Sequence, residues 1–346
     1  MPVVDHQSPP RLLAGGGPSA PDARVRRAMA LPVIGQFDPA FTALMDDVMA
    51  LGRQTFVTSN ARCFAVSGLA SAGLEAVLAA LLVPGGAVSA PARLHGLVQR
   101  LGGTLGAAEG APIVVADAQS ADVPALARAV HARGAVLIVD ATAVLGGREV
   151  RVDGWGIDAC VAGVDYCLGA PSGMALVTYS DAVEARMRAR TSLLGTSYLD
   201  LLELQAYWSP ERLNHHTAPT SLVYGLREAL RLVHVEGLEA RWARHARIAE
   251  ALAAGLRTLE VHYVGTALTF EVELPAGVDE AQARRGLREH FGIHVLALGV
   301  RTWRLGLLGA DAQVANVARL LTGLAHVLDR PSQTAVEHAL ARAGVT

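Results

Sequence analysis

The feature that most restricts how this chain can fold is its alternation of short, wholly apolar runs with segments of helical period. Residues 113–116 (IVVA) and 135–139 (AVLIV) are uninterrupted apolar runs, as strands buried on both faces require. Around them, residues 71–82 and 123–133 repeat apolar side chains at helical spacing, and 173–179 reads as a further strand. Strands and helices alternating in this way specify a doubly wound, mainly parallel sheet. Near residue 230 the texture changes to one long Ala/Arg/Leu/Glu helical region over 226–254, which bridges to a second lobe. That lobe reads as α+β: a cleanly alternating strand at 266–274, a helix at 279–291, strands at 293–298 and 303–308, a last helix at 312–328 and a tail at 334–343. The division expected is an N-terminal Pro/Gly-rich segment 1–20, a large domain 21–235 and a small C-terminal domain 236–346.

A chain of 346 residues that is 51% apolar buries a large core. Its net charge of -2 offers no single-sign field, which argues against nucleic acid or an anionic membrane surface as partner. Three scattered cysteines, Cys63, Cys160 and Cys167, make neither a disulfide framework nor a closed zinc site, so no metal is expected and a reducing cytoplasm fits. The N-terminal stretch lacks a basic region followed by an apolar run, and nothing later has the roughly 18 apolar residues of a membrane span, so secretion and membrane insertion are not expected.

All 30 basic residues are arginine; the sequence contains no lysine. Guanidinium stays protonated and does not readily form imines, so covalent amine catalysis by a side chain is closed off. Coding drift from Lys to Arg and selection against amines near a reactive carbonyl both account for this composition.

Several separated segments, in order, resemble the class V, fold-type-I aminotransferases of the alanine-glyoxylate, serine and ureidoglycine-glyoxylate group. They are Leu12–Pro18 with Ala28-Met29, Pro32 and Gly35; Ser67–Glu75; Val139-Asp140-Ala141 through Asp153–Asp158 to Cys167–Pro171; and His215-His216-Thr217-Ala218-Pro219, with Trp303–Gly309 near the end. The resemblance implies a fold-type-I aminotransferase-like α/β fold: a large doubly wound, mainly parallel sheet domain plus a small C-terminal α+β domain, assembled as a homodimer. It also implies a pyridoxal phosphate pocket, against which this sequence can be compared position by position.

The family's Schiff-base lysine falls on Tyr166, a phenol that donates or accepts a proton but cannot form an imine. Its glutamine contact to the phosphate falls on Asp165. In the phosphate cup the hydroxyl position reads Leu69 and the next glycine Ala70, leaving Ser71 as the nearby hydroxyl. The tyrosine before the His-His-Thr run reads Asn214, while Thr217 matches. Losing two or three charge-assisted hydrogen bonds, at about 1.5–3 kcal/mol each, weakens phosphate binding roughly a thousandfold. No aromatic side chain stands where one should stack on the ring, and His95 is the substitute there.

Other positions keep the pattern. Asp140 ends a predicted strand where the family's aspartate pairs with the pyridine nitrogen, and ligands of open α/β sheets bind at strand carboxyl ends. Ser120 falls near a second cofactor contact. Arg304 matches the arginine that grips the substrate carboxylate, and Gly16 and Gly17 match the entry loop beside it. Bland readings stand beside these: Asp140 as a cap, Tyr166 as filler, Arg304 as a structural ion-pair partner, and His215 and His216 as interface residues.

The expectation from sequence is a repurposed biosynthetic enzyme that keeps the fold but uses no cofactor. In that reading Tyr166, Asp165 and Asp140 do acid-base work on a small carboxylate held by Arg304, and Leu69, Ala70, Ser71, Ser120, Asn214 and Thr217 are remnants of a cofactor pocket. Two alternatives remain open: an enzyme that binds pyridoxal phosphate non-covalently, and a pseudoenzyme partner of an active paralogue.

Overall fold

A computed structural model describes residues 11–119, 121–191, 195–265 and 268–344. The chain forms two compact units: a terminal unit of residues 1–20 and 242–346, and a central unit of residues 21–241. The terminal unit opens with the short strand β1 (Leu12–Leu13).

The central unit is built on a seven-stranded sheet of β2 (Arg62–Ser67), β3 (Ala87–Ser89), β4 (Thr104–Leu105), β5 (Ile113–Asp117), β6 (Val136–Asp140), β7 (Ala159–Gly163) and β8 (Met174–Tyr179), in the order β2-β8-β7-β6-β5-β3-β4. The pairs β4/β3, β3/β5, β5/β6 and β6/β7 are parallel. β8 instead runs antiparallel to both of its neighbours, β7 and β2, so the sheet is mixed at that side. The two runs expected to be strands lie at its centre, and four consecutive buried residues in each of β5 and β6 meet the demand that both faces be covered. β2, β3 and β7 had no individual expectation: β3 has three residues, and β7 (ACVAG) mixes small residues that periodicity does not separate from a helix.

Helices cover the sheet because their apolar faces must be buried. The Ala70–Leu81 helix lays Leu74, Val77 and Leu78, all at most 1% exposed, against β7 and β8. Gly73 lets it come close, since a Cβ there would stand 2.7 Å from Val161 Cγ1. The Val123–His131 helix starts where expected, with Asp122 accepting from the backbone N–H of Ala125 and Pro at the start of its first turn.

The single helical region expected over 226–254 is two helices, Thr220–Glu236 and Leu238–Thr258. Gly237, at φ +87°, ends the first, a conformation side chains with a Cβ rarely adopt. Periodicity missed the break because the apolar spacing carries on across it.

In the terminal unit, β9 (His262–Gly265), β10 (Phe270–Glu273), β12 (Leu296–Ala297) and β13 (Thr302–Leu305) form an antiparallel sheet in the order β12-β13-β10-β9, while β11 (Ile293–His294) pairs in parallel with β1. β10 alternates cleanly, Phe270 and Val272 buried and Glu271 and Glu273 exposed. The core gathers Trp303, Leu305, Leu287, Leu320, Leu321 and Leu324 from β13 and from the Glu280–His290 and Val314–Val327 helices. Trp303 is 0% exposed, and its Nε1 donates to Glu280 Oε1 at 2.8 Å. The tail forms a helix of its own, Gln333–Arg342. His245 is buried, and its Nε2 accepts from the Gly309 N–H at 3.0 Å. Among the described residues no helix is long and apolar enough to cross a membrane.

Candidate functional site

The carboxyl ends of β5, β6 and β7 in the central unit carry a concentration of charge and hydrogen-bonding groups. Asp117 and Asp140 are the last residues of adjacent parallel strands and are directly opposite in register. Their carboxylates would repel each other, and one guanidinium lies between them: Arg93 Nη2 bonds Asp117 Oδ1 and donates to Asp140 Oδ2 at 2.8 Å. Arg93 comes from the Ala92–Leu94 turn after β3. Asp140 has 9% of its side chain exposed, and its Oδ1 accepts from the Thr142 N–H at 2.9 Å. It therefore does close its own βα turn, and it also presents a second oxygen to a cation.

At the end of β7, Gly163 donates its N–H to Thr142 Oγ1 at 3.0 Å. A Cβ on Gly163 would meet Thr142 Cγ2 at 2.9 Å, Asp165 Oδ1 at 3.2 Å and Ala70 Cβ at 3.3 Å, so these three groups converge on one bare backbone position. Asp165 accepts from Ser172 Oγ at 2.6 Å. Tyr166 follows it, half-buried, on the same loop.

Ala70 begins the Ala70–Leu81 helix, whose amino end carries no side-chain cap. Leu69 at the cap position is 54% exposed, and Gly68 before it turns at φ +136°. The Leu69, Ala70 and Ser71 N–H groups have no acceptor among the described residues. Free amides at the positive end of a helix attract an anion.

A hydrogen-bonded relay lies next to this helix end. Ser67 Oγ is 3.1 Å from His216 Nε2, and the two Nδ1 atoms of His216 and His215 are 2.9 Å apart. His215 Nε2 lies 2.9 Å from the Ser197 carbonyl oxygen, which can only accept, so that nitrogen carries its proton. His215 Nδ1 then accepts from His216 Nδ1–H, which leaves His216 Nε2 to accept the Ser67 hydroxyl. Beside the relay, Tyr198, Glu203, Asn214 and His215 line a cavity of about 370 Å³.

Burial, and after it the neighbouring His215, hold His216 below its ordinary value of 6.5; burial does the same to His234. Both imidazoles favour the neutral form in the folded chain. Their contribution to stability is complete above about pH 6.5 and is lost as pH falls through the lowered folded values. Thermal unfolding should therefore shift downward between pH 8 and pH 5, and His216→Gln should flatten part of that slope; an unchanged slope would refute the relay's neutral state.

The remaining candidates are more dispersed. His95 is half-buried with Nε2 3.1 Å from the Ala90 carbonyl. Asn214 is exposed and accepts from Gln36 Nε2 at 2.9 Å; Ser71 and Thr217 are exposed. Ser120 lies outside the described residues. In the terminal unit, Arg304 on β13 donates from Nε to the Gly15 carbonyl at 3.1 Å. Gly16 is packed so closely there that a Cβ would meet Thr269 Cγ2 at 2.7 Å, and Gly17 follows at φ +119°. Sequence reasoning passed over Arg93 and Ser67. The His-His run was a visible signal for Ser67; for Arg93 there was none, because nothing in a linear sequence brings residue 93 to residue 140. The three cysteines are buried thiols, with burial pushing that of Cys63 up to about 12, and the described residues hold no metal-binding cluster.

A sheet whose strand ends present a carboxylate beside an open helix amino end is the ligand-binding arrangement of α/β enzymes that hold an anionic, ring-bearing cofactor. Residues 118–310 match the aminotransferase class-V family. The chain is 36% identical to the (S)-ureidoglycine–glyoxylate transaminase of Bacillus subtilis, over 93% of this chain and 92% of that protein. It is 30% identical to the alanine–glyoxylate aminotransferase of Oryctolagus cuniculus, over 94% and 95%. The crystal structure of ureidoglycine-glyoxylate aminotransferase from Bacillus subtilis superposes with a TM-score of 0.92 at 34% identity, covering 97% of this chain and 98% of that one. This chain belongs to the class V aminotransferase family.

These findings correct one expectation. A chain that works without any cofactor conflicts with full-length kinship to pyridoxal-phosphate-dependent transaminases. The side-chain bonds missing from the phosphate cup are only part of what holds an anion there. The first backbone amides of the Ala70–Leu81 helix need no particular side chain to hold an anion, and those of Leu69, Ala70 and Ser71 find no acceptor among the described residues. The residues present fit the non-covalent half of such a site, an anion cradle and a carboxylate, while the sequence supplies no lysine for a covalent bond.

Proposed function

We propose that this protein is a transaminase-family enzyme that holds a pyridoxal-phosphate-type cofactor by non-covalent contacts and moves an amino group between small amino and oxo carboxylic acids of the glyoxylate kind. The observation that carries this reading is the uncapped amino end of the Ala70–Leu81 helix in the neighbourhood of Asp140, with Thr142 and Gly163 linking the two. When bound, the cofactor supplies an electron sink for the carbon that loses its proton.

The chain's own residues then divide the work. Asp140 holds a cationic ring nitrogen through its carboxylate, and the amides of residues 69–71, with the Ser71 hydroxyl, hold the phosphate. Asp165 borders the same helix end and makes the site less favourable to a dianion than an amide side chain would. Tyr166, in the place of the family's lysine, takes and returns the proton at its phenol oxygen. His95 is assigned to the ring face. The family pattern assigns the substrate carboxylate to Arg304, for which its planar fork is suited. We read the assembly as a homodimer, in which the exposed Asn214 and Thr217 are placed to serve a neighbouring subunit.

Adding pyridoxal phosphate to the protein should change its near-ultraviolet and visible absorbance, the change should vanish on dialysis, and borohydride should leave no cofactor on a side chain. No spectral change at any concentration would sink the proposal. Arg304→Ala should lower kcat/KM for a glyoxylate-type acceptor by about 30–100-fold, corresponding to loss of roughly 2–3 kcal/mol from a charge-assisted contact, with cofactor affinity unaltered. Equal activity in that variant would remove Arg304 from the substrate role.

A further inference from the structure

Asp140 is already occupied. Its Oδ2 accepts from Arg93 Nη2 at 2.8 Å, and the same nitrogen bonds Asp117 Oδ1 at the end of the neighbouring strand. The Asp140 side chain is 9% exposed, whereas that of Arg93 is 45% exposed and springs from a three-residue turn. A half-solvated cation thus rests on a nearly buried carboxylate. The other Asp140 oxygen is committed to the Thr142 N–H, so Oδ2 is the oxygen a ligand would have to reach.

We propose that Arg93 is an internal competitor for the ring-nitrogen seat: its guanidinium fills the Asp140 carboxylate in the empty protein and swings onto Asp117 alone when a ligand with a cationic ring N–H enters. This inference rests on the cofactor reading above and adds to it a residue that sets selectivity. Moving the cation onto Asp117 alone leaves the nearly buried Asp140 carboxylate without its counter-ion, so a neutral ring cannot take the seat without leaving that charge uncompensated. A pyridinium N–H restores the balance. Arg93 therefore makes the seat selective for cationic nitrogen and lowers the apparent affinity for every ligand that needs it. If the seat is filled by Arg93 for about nine-tenths of the time, apparent affinity is reduced about tenfold, since only the open fraction binds.

The test is a titration of wild type, Arg93→Ala and Arg93→Gln with pyridoxamine 5′-phosphate and with the analogue that carries C–H in place of the ring nitrogen, followed by calorimetry. Pyridoxamine 5′-phosphate should bind about tenfold more tightly to both variants than to wild type, while the carbon analogue should gain nothing. If wild type binds and neither variant gains affinity, the competitor role is overturned and the cofactor reading stands. If no form of the protein binds either probe, both fall. A second measurement is independent of the cofactor: guanidinium chloride at low concentration should raise the melting temperature of Arg93→Ala and not that of wild type, by refilling the seat between the two carboxylates. Absence of that rescue would also overturn the assignment.

Discussion

Turnover by Tyr166→Phe is expected to fall by about 10²–10⁴-fold, the usual contribution of a positioned proton-transfer group. The substitution removes one oxygen and leaves the ring, so a Tyr166 that merely fills space would tolerate it. Affinity for pyridoxamine 5′-phosphate should stay within about threefold, since proton transfer acts on the rate and not on ground-state binding. Steady-state kinetics beside a binding titration separate the outcomes. Unchanged turnover assigns the phenol to packing, and a joint loss of turnover and binding assigns it to holding the ligand. In a chain without lysine the proposed proton transfer rests on the Tyr166 phenol, which is why the expected loss is large.

The second large effect concerns stability. Trp303→Ala should destabilise the terminal unit by about 3–5 kcal/mol, the range for truncating a fully buried large aromatic residue. Trp303 is 0% exposed at the centre of that unit's core, between β13 and the helix that begins at Glu280. The variant also takes away the indole N–H that donates to Glu280, whose carboxyl the Arg284 hydrogen bond, opposed by partial burial and helped by Trp303, holds below its ordinary range. Trp303→Phe keeps most of the volume and should lose about 1–2 kcal/mol. Urea unfolding reads both; a loss below about 1 kcal/mol for the alanine variant would mean that the core relaxes into the space.

The elements legible in sequence were those whose side-chain pattern is dictated by burial. Residues 113–116 and 135–139 are apolar without interruption because both sheet faces are covered, and β10 alternates because one face is not. Elements whose identity depends on neighbours were not legible. The short strands β3 and β7 exist because β5, β6 and β8 offer them hydrogen bonds, and the antiparallel course of β8 depends on which edge the chain reaches. Gly237 ends a helix through a backbone angle that apolar spacing does not encode.

The site divides along the same line. Family kinship, the missing lysine, Asp140 at a strand end and Arg304 on an alternating strand were all carried by the order of residues, since each depends on local pattern or on the chemistry a side chain has or lacks. Only the tertiary structure decided that Arg93 lies on Asp140, that Ser67 donates into a histidine pair, and that the Leu69, Ala70 and Ser71 amides find no acceptor among the described residues. Those facts join residues 47 and 149 positions apart, or follow from groups that find no partner, and a linear sequence records neither distance nor vacancy. Their electrostatic consequences fall off within a few ångströms, so they come into being only when the strands are laid side by side.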